Sequence, residues 1–354
     1  MNYIKLSDIC TIQSGGTPSR SIKKYWENGT IPWVKISDID GKYLFETEEH
    51  ISQDGLDSSA AKIFPSGTIL YTIFATLGEV CILKTSAATN QAIAGLTVIN
   101  DKFDAEYIYY ALQSLKPLVI RMGRGVAQNN INLTVLRSLE IPAYSKEKQQ
   151  KIVSVLSQIE EGILNREQSL RILDILVKSQ FIEMFGDVKN NSKKWASIKL
   201  DHIADVGSSK RVFVEELQPV GIPFYRGTEI GALAEGKNIT PELHITEDHY
   251  IQLCRASGTP QRGDLLMPSI CDDGRIWLVD TDEPFYFKDG RVLWVHLTNK
   301  AFNNIFLQYV MKSKITTDYE HIASGTTFKE LKIFSLKSLD IIQPPIDLQN
   351  KFAA

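Results

Sequence analysis

The side chains of this 354-residue chain that could hold a metal or carry acid–base chemistry include six histidines, four cysteines and 42 acidic residues. Their spacing organises no active site. His244 and His249 are the one close histidine pair, and five residues apart they miss the i, i+4 facing of a zinc helix, which Glu247 does not repair. Cys10, Cys81, Cys254 and Cys271 form no C-x-x-C pair and read as free thiols of a reducing compartment. Acidic-x-Lys tripeptides of the nuclease type occur at Asp40-Gly41-Lys42, Asp187-Val188-Lys189, Glu235-Gly236-Lys237 and Glu330-Leu331-Lys332, with no Pro-Asp before any of them. Phosphate cradles of the G-x-G-x-x-G or P-loop kind and a G-x-S-x-G elbow are absent. Gln343-Pro344-Pro345-Ile346 lacks the amide and the aromatic of an amino-methyltransferase tetrapeptide. The expectation is a binder with no catalytic residue, metal or cofactor.

A binder must present its side chains on stable elements. With 43% hydrophobic and 23% charged residues the composition is that of a globular protein, and 354 residues exceed what one core usually serves, so two domains are expected. No secretory signal and no apolar run of about 20 residues are visible, which reads as a soluble, cytoplasmic protein. The net charge of −3 excludes a uniformly basic chain but leaves room for a local basic face.

The elements repeat. Ile4-Lys5-Leu6-x-x-Ile9 returns as Ile198-Lys199-Leu200-x-x-Ile203. Ile31-Pro32-Trp33-Val34-Lys35 returns as Ile222-Pro223-Phe224-Tyr225-Arg226, extended in both places because proline disfavours helix before it. Gly67-Thr68-Ile69-Leu70 answers to Gly263-Asp264-Leu265-Leu266, and Tyr110 with Ser114 to Tyr309 with Ser313. Gly125 to Lys151 then aligns without a gap on Gly325 to Lys351. Five matches in one order mean two diverged copies of one mixed α/β domain.

Between the copies, apolar residues at Ile152, Leu156, Ile159, Ile163, Leu170, Leu173, Val177 and Met184 step by fours and threes with few interruptions. That heptad seam predicts one helix of about 40 residues and ~60 Å, capped at Gly186 and wanting a helical partner. Ile346 to Ala354 repeats the start of that helix and stops in mid-pattern, so the expectation is either a truncated second helix or a seam partner on another subunit or a second copy of the chain.

Taken as a set, these motifs resemble the DNA-specificity subunit of type I restriction–modification systems. The pattern runs through Ser14-Gly15-Gly16-Thr17-Pro18, Ile31-Pro32-Trp33-Val34-Lys35-Ile36-Ser37-Asp38, Asn90-Gln91-Ala92-Ile93, Gly125-Val126-Ala127-Gln128-Asn129-Asn130-Ile131 and Gln149-Gln150-Lys151-Ile152. The second copy departs from it: Gly207-Ser208-Ser209-Lys210 replaces the Gly-Gly-Thr-Pro loop, and Phe287-Lys288-Asp289-Gly290 stands in place of Asn90-Gln91-Ala92-Ile93. The resemblance implies an α/β (α+β) fold with a pseudo-two-fold: a target-recognition domain over 1–144, a coiled-coil-type spacer helix over 145–187, a second recognition domain over 188–343 and the start of a second helix over 344–354. It further implies a non-catalytic subunit that reads an interrupted double-stranded DNA site and docks methyltransferase subunits and a motor-nuclease restriction subunit. A scaffold of the same fold without DNA readout is the alternative.

Contacts to DNA are expected from basic, hydroxyl and amide residues in loops beside glycines. In the first copy these are Thr17, Ser19, Arg20, Lys23, Lys35, Arg121, Arg124, Gln128 and Asn129. In the second they are Ser208, Lys210, Arg211, Arg226, Arg275, Lys288, Arg291, Thr326, Thr327 and Lys329. Arginine suits guanine O6 and N7, amides suit adenine, and lysine more often meets phosphate. Trp33, Phe224 and Tyr225, beside their prolines, read as core aromatics.

Overall fold

The structure is a computed structural model that describes residues 2–123, 130–325 and 329–354. It divides into two compact units, Met1–Gln168 and Ser169–Ala354. The division falls inside one 40-residue helix, Lys146–Phe185, and Gly186 closes that helix at φ +81°, its N–H on the Ile182 carbonyl at 2.7 Å. Only glycine meets such a C′ position without strain.

Each unit is built on the same strand order. In the first, Cys10–Ser14, Ile93–Val98, Ile69–Thr72, Val80–Leu83 and Tyr43–Leu44 lie side by side in one sheet. In the second, Ala204–Gly207, Val292–Leu297, Leu265–Pro268 and Trp277–Leu278 follow the same succession. The runs Ile69–Thr72 and Val80–Leu83 are wholly buried, as expected of strands covered on both faces. The opening motif of each copy pairs with the end of its own repeat: Ile4 lies opposite Ile141 and Ile198 opposite Ile341, and the Leu6 and Leu200 N–H groups donate to Leu139 and Leu339 at 2.9 Å.

The proline segments are strands in both units. Ile31–Val34 runs antiparallel to Glu49–Ile51 and parallel to Ala87–Thr89. Ile222–Tyr225 does the same with His244–Ile245 and Tyr286–Phe287. Trp33 and Phe224 are buried at 2% and 3% exposure, so both are core aromatics, and Tyr225 stacks on Phe285 with centroids 5.2 Å apart.

A fully buried glutamine roots each later helix. Gln149 accepts from the Asp104 N–H at 3.0 Å and donates to the Lys102 and Tyr144 carbonyls, both at 2.9 Å. Gln349 repeats the pattern with the Asn303 N–H at 2.9 Å and the Ala301 and Pro344 carbonyls at 3.1 and 2.8 Å. Lys42, Tyr110 and Glu106 add a polar cluster, with Lys42 Nζ donating to Ser157 Oγ at 2.9 Å and Tyr110 to Glu160 at 2.7 Å, which fixes the helix's fourth turn in the first unit.

The seam needs correcting at both ends. Ile152 and Leu156 pack into the first unit's core and Met184 into the second's, beside buried Phe181 and Phe185, two anchors that the heptad count passed over. Domain packing spends these three seam residues, so they are not free for a partner. Ile159, Ile163, Leu170 and Leu173 remain more than half exposed. Cys10, Cys81 and Cys271 are free and buried, and burial pushes each thiol up to about 12. Among the described residues no cluster of three or more metal-ligating side chains forms, and no helix is long and apolar enough to cross a membrane.

If the glutamine roots matter as their geometry implies, Gln149→Leu will leave one N–H and two carbonyls unpaired in the interior and lower stability by at least ~2 kcal/mol. Chemical unfolding followed by circular dichroism measures it, and a change under ~0.5 kcal/mol would show that the root is dispensable.

Candidate nucleic-acid interface

Parallel pairing brings the ends of two strands out together. After Val34 and Tyr225 the chain turns at a basic residue, Lys35 or Arg226, and beside it the neighbouring strand ends at Thr89 or Phe287. The Asn90 N–H donates to the Val34 carbonyl at 3.1 Å and the Lys288 N–H to the Tyr225 carbonyl at 2.9 Å. The register therefore sets Lys288 against Asn90, one residue along from the match read off the sequence, which set Phe287 there.

A third segment closes over this pair. In the first unit the Gly16 N–H donates to the Thr89 carbonyl at 2.9 Å. A Cβ at Gly16 would lie 2.3 Å from the Ala60 carbonyl carbon and one at Gly15 2.1 Å from the Thr89 oxygen, so neither position admits a side chain. In the second unit Ser209 Oγ takes the equivalent role, donating to the Phe287 carbonyl at 2.5 Å, while Ser208 Oγ donates to Val292 and accepts from the Gly290 N–H. Two different loop chemistries thus reach the same backbone acceptor.

Each basic residue is framed by carboxylates in the same way. The Lys35 N–H donates to Asp38 at 2.9 Å while its Nζ meets Glu48 and Glu49. The Arg226 N–H donates to Glu229 at 2.8 Å, its side chain forks onto the same carboxylate, and Glu242 stands 3.5 Å away. Burial raises the Glu229 carboxyl, but the bonds from Arg226 and Thr228 outweigh it and bring the group down to about 2. Arg20 and Lys35 hold Glu49 below the usual carboxylate range, the Arg20 bond being the larger cause.

In the second unit the strand ends open a groove of about 770 Å³ whose wall carries Arg226, Arg275, Lys288 and Arg291 over an apolar floor of Phe224, Leu243 and Pro268. Four of the ten residues chosen there from sequence meet in it. Arg275 pairs with Asp273, Lys288 lies 3.8 Å from Asp289, and Arg291 pairs with Glu330.

These features sit on a fold whose relatives can be named. Residues 1–172 match the model of the type I restriction modification DNA specificity domain. The type I restriction enzyme MjaIX specificity subunit of Methanocaldococcus jannaschii is 28% identical over 98% of this chain and 84% of its own length. Both comparisons make the chain similar to type I restriction–modification specificity subunits. The EcoR124I/EcoR124II specificity subunit of Escherichia coli is 27% identical over 47% of the chain, a span that covers 44% of that relative. The solved S subunit of M. genitalium shares the fold at a TM-score of 0.59 and 16% identity, over 99% of this chain and 87% of that one.

Of the residues expected from sequence, Thr17 bonds Gln91, Ser19 bonds Ser21, and Arg20 and Lys35 share Glu49 on one crest. Lys23 and Arg121 are exposed. Ser208 is engaged by backbone, Lys210 is exposed while its N–H donates to Tyr286, and Arg211 lies over the Phe213 ring. Lys329, between the helices Asn304–Ile322 and Ile333–Lys337, is held by Glu320. Arg124, Gln128, Asn129, Thr326 and Thr327 lie outside the described residues. Sequence reasoning passed over Asn90 and Gln91 as contacts although it quoted their motif, and it passed over the framing carboxylates, which no spacing marks.

A depressed carboxyl contributes stability above its unfolded value of 4.5 and loses it as pH falls through about 2. The stability gap between the parent and Glu229→Gln should be constant above pH 5 and narrow as pH drops below 4.5. Urea titrations at several pH values check this, and a gap that widened in acid would contradict the assignment.

Proposed function

We propose that the chain is the non-catalytic specificity subunit of a type I restriction–modification system, with each unit reading one half of an interrupted duplex site. The observation that carries this is the repeated crest: three segments converge on one parallel strand pair in both units, with a basic residue at the same register position and different neighbours around it. Equivalent geometry with divergent side chains is what two half-sites of different sequence require.

A net charge of −3 cannot pull DNA in from afar, so attraction is local. Every arginine on the groove wall already has a carboxylate, so a phosphate or base edge must take over part of that partner's role. The carboxylates hold the forks in place and repel DNA that offers no compensating contacts, which favours discrimination over raw affinity. Ile159, Ile163, Leu170 and Leu173 form the surface left for methyltransferase subunits, with the same helix of a second chain as the other occupant. A restriction subunit completes the complex for cleavage, and the family role is cytoplasmic.

Arg226→Ala should cost ~1–3 kcal/mol on the second half-site and nothing on the first, with Lys35→Ala acting on the first alone. Fluorescence anisotropy on duplexes altered in one half at a time measures this; equal loss on both halves would contradict separate readers. Ile159→Asp with Leu173→Asp, both at exposed positions, should abolish co-sedimentation with methyltransferase subunits while leaving the melting temperature unchanged. Retained assembly would remove the stripe from the docking surface.

A further inference from the structure

Arg20 differs from every other cation on the first unit's crest. Its guanidinium carbon lies over the Trp26 ring, 3.6 Å from the centroid, and 4.9 Å from the centroid of the Trp33 ring. The two indoles meet edge to face at 5.0 Å. Each indole also grips the loop that carries the arginine, the Trp33 Nε1–H donating to the Gly16 carbonyl at 3.0 Å and the Trp26 Nε1–H to the Ser19 carbonyl at 3.2 Å. The backbone is therefore tied on the residue immediately before Arg20 and again three residues further back.

Glu49 completes the clamp. It accepts from Arg20 Nη1 at 2.5 Å and is itself held by Lys35 at 3.3 Å. Among the described residues the Nε/Nη2 edge of Arg20 carries no hydrogen bond, and the side chain is still 54% exposed. An arginine normally loses much rotamer freedom when it is immobilised on a ligand. Here the loss is taken on folding, and what remains outside is a rigid pair of parallel N–H donors.

We propose that Arg20 is the guanine-reading residue of the first unit, its free Nε/Nη2 edge donating to O6 and N7 of one guanine in the major groove. This deepens the DNA-reading function proposed above and rests on it. The chemistry selects the base: arginine offers donors only, and guanine alone presents two adjacent acceptors on its major-groove edge, whereas adenine pairs its acceptor with a donor. Lys23 and Arg121, exposed on the same unit, have no such clamp and suit phosphate.

Selection from a random duplex library by the purified chain, sequenced for the parent, Arg20→Lys and Arg20→Ala, tests the proposal. The parent should enrich a two-part motif with an invariant guanine, and both variants should lose preference for that guanine by about tenfold or more while keeping every other position. Arg20→Lys keeps the positive charge beside Glu49 and Trp26 but loses the planar fork, and melting curves recorded for all three proteins separate misfolding from lost readout. A uniform fall in affinity with an unchanged motif would make Arg20 a phosphate contact, and an unchanged motif with unchanged affinity would make it a structural clamp; either overturns the proposal. No enriched motif from the parent would overturn instead the DNA-reading function on which it stands.

Discussion

Two strands that run parallel end on the same side, and the site in each unit follows from that constraint. Trp33–Val34 beside Ala88–Thr89, and Phe224–Tyr225 beside Tyr286–Phe287, deliver Lys35 next to Asn90 and Arg226 next to Lys288. Antiparallel pairing would have sent the two turns to opposite ends of the sheet. The loop after the first sheet strand is then drawn across by a single donor to the Thr89 or Phe287 carbonyl. A backbone scaffold of this kind leaves the projecting side chains free to diverge, which is how one fold serves many sequences.

Carboxylates do the next part of the work. Asp38 and Glu229 cap the N–H of the basic residue three positions earlier; Glu229 fixes the Arg226 cation as well, whereas the Lys35 cation is held by Glu48 and Glu49. Exposed pairs of this sort add little to stability. Their value is positional, since a fork already oriented loses less entropy when it binds. In the proposed interface these ion pairs hold the side chains ready, in a chain whose overall charge is slightly negative.

Much of this was legible in the sequence, for identifiable reasons. The repeat, the proline strands, the long helix with its glycine stop and the buried tryptophan all follow from periodicity and from residues with narrow backbone tolerance. The framing of Lys35 by Glu48 and Glu49, the clamp on Arg20 and the one-residue shift at Lys288 were not legible, because they depend on strand register, and register joins residues far apart in the chain. The helix ends misled for a related reason. Ile152, Leu156 and Met184 continue the heptad count as smoothly as Ile159 or Leu173, and only packing shows that they belong to the domain cores. Gln149 and Gln349 stood inside a recognised repeat, yet a glutamine on a helix reads as surface until its three buried bonds are seen.

The central claim is that both units use the same crest on DNA. Amide hydrogen exchange of the chain, with and without random-sequence duplex at low salt, tests it most directly. The account predicts slowed exchange over residues 15–22, 35–38 and 89–92 and over the matching 208–211, 226–229 and 287–291. Protection confined to the long helix, or to one unit alone, would contradict it.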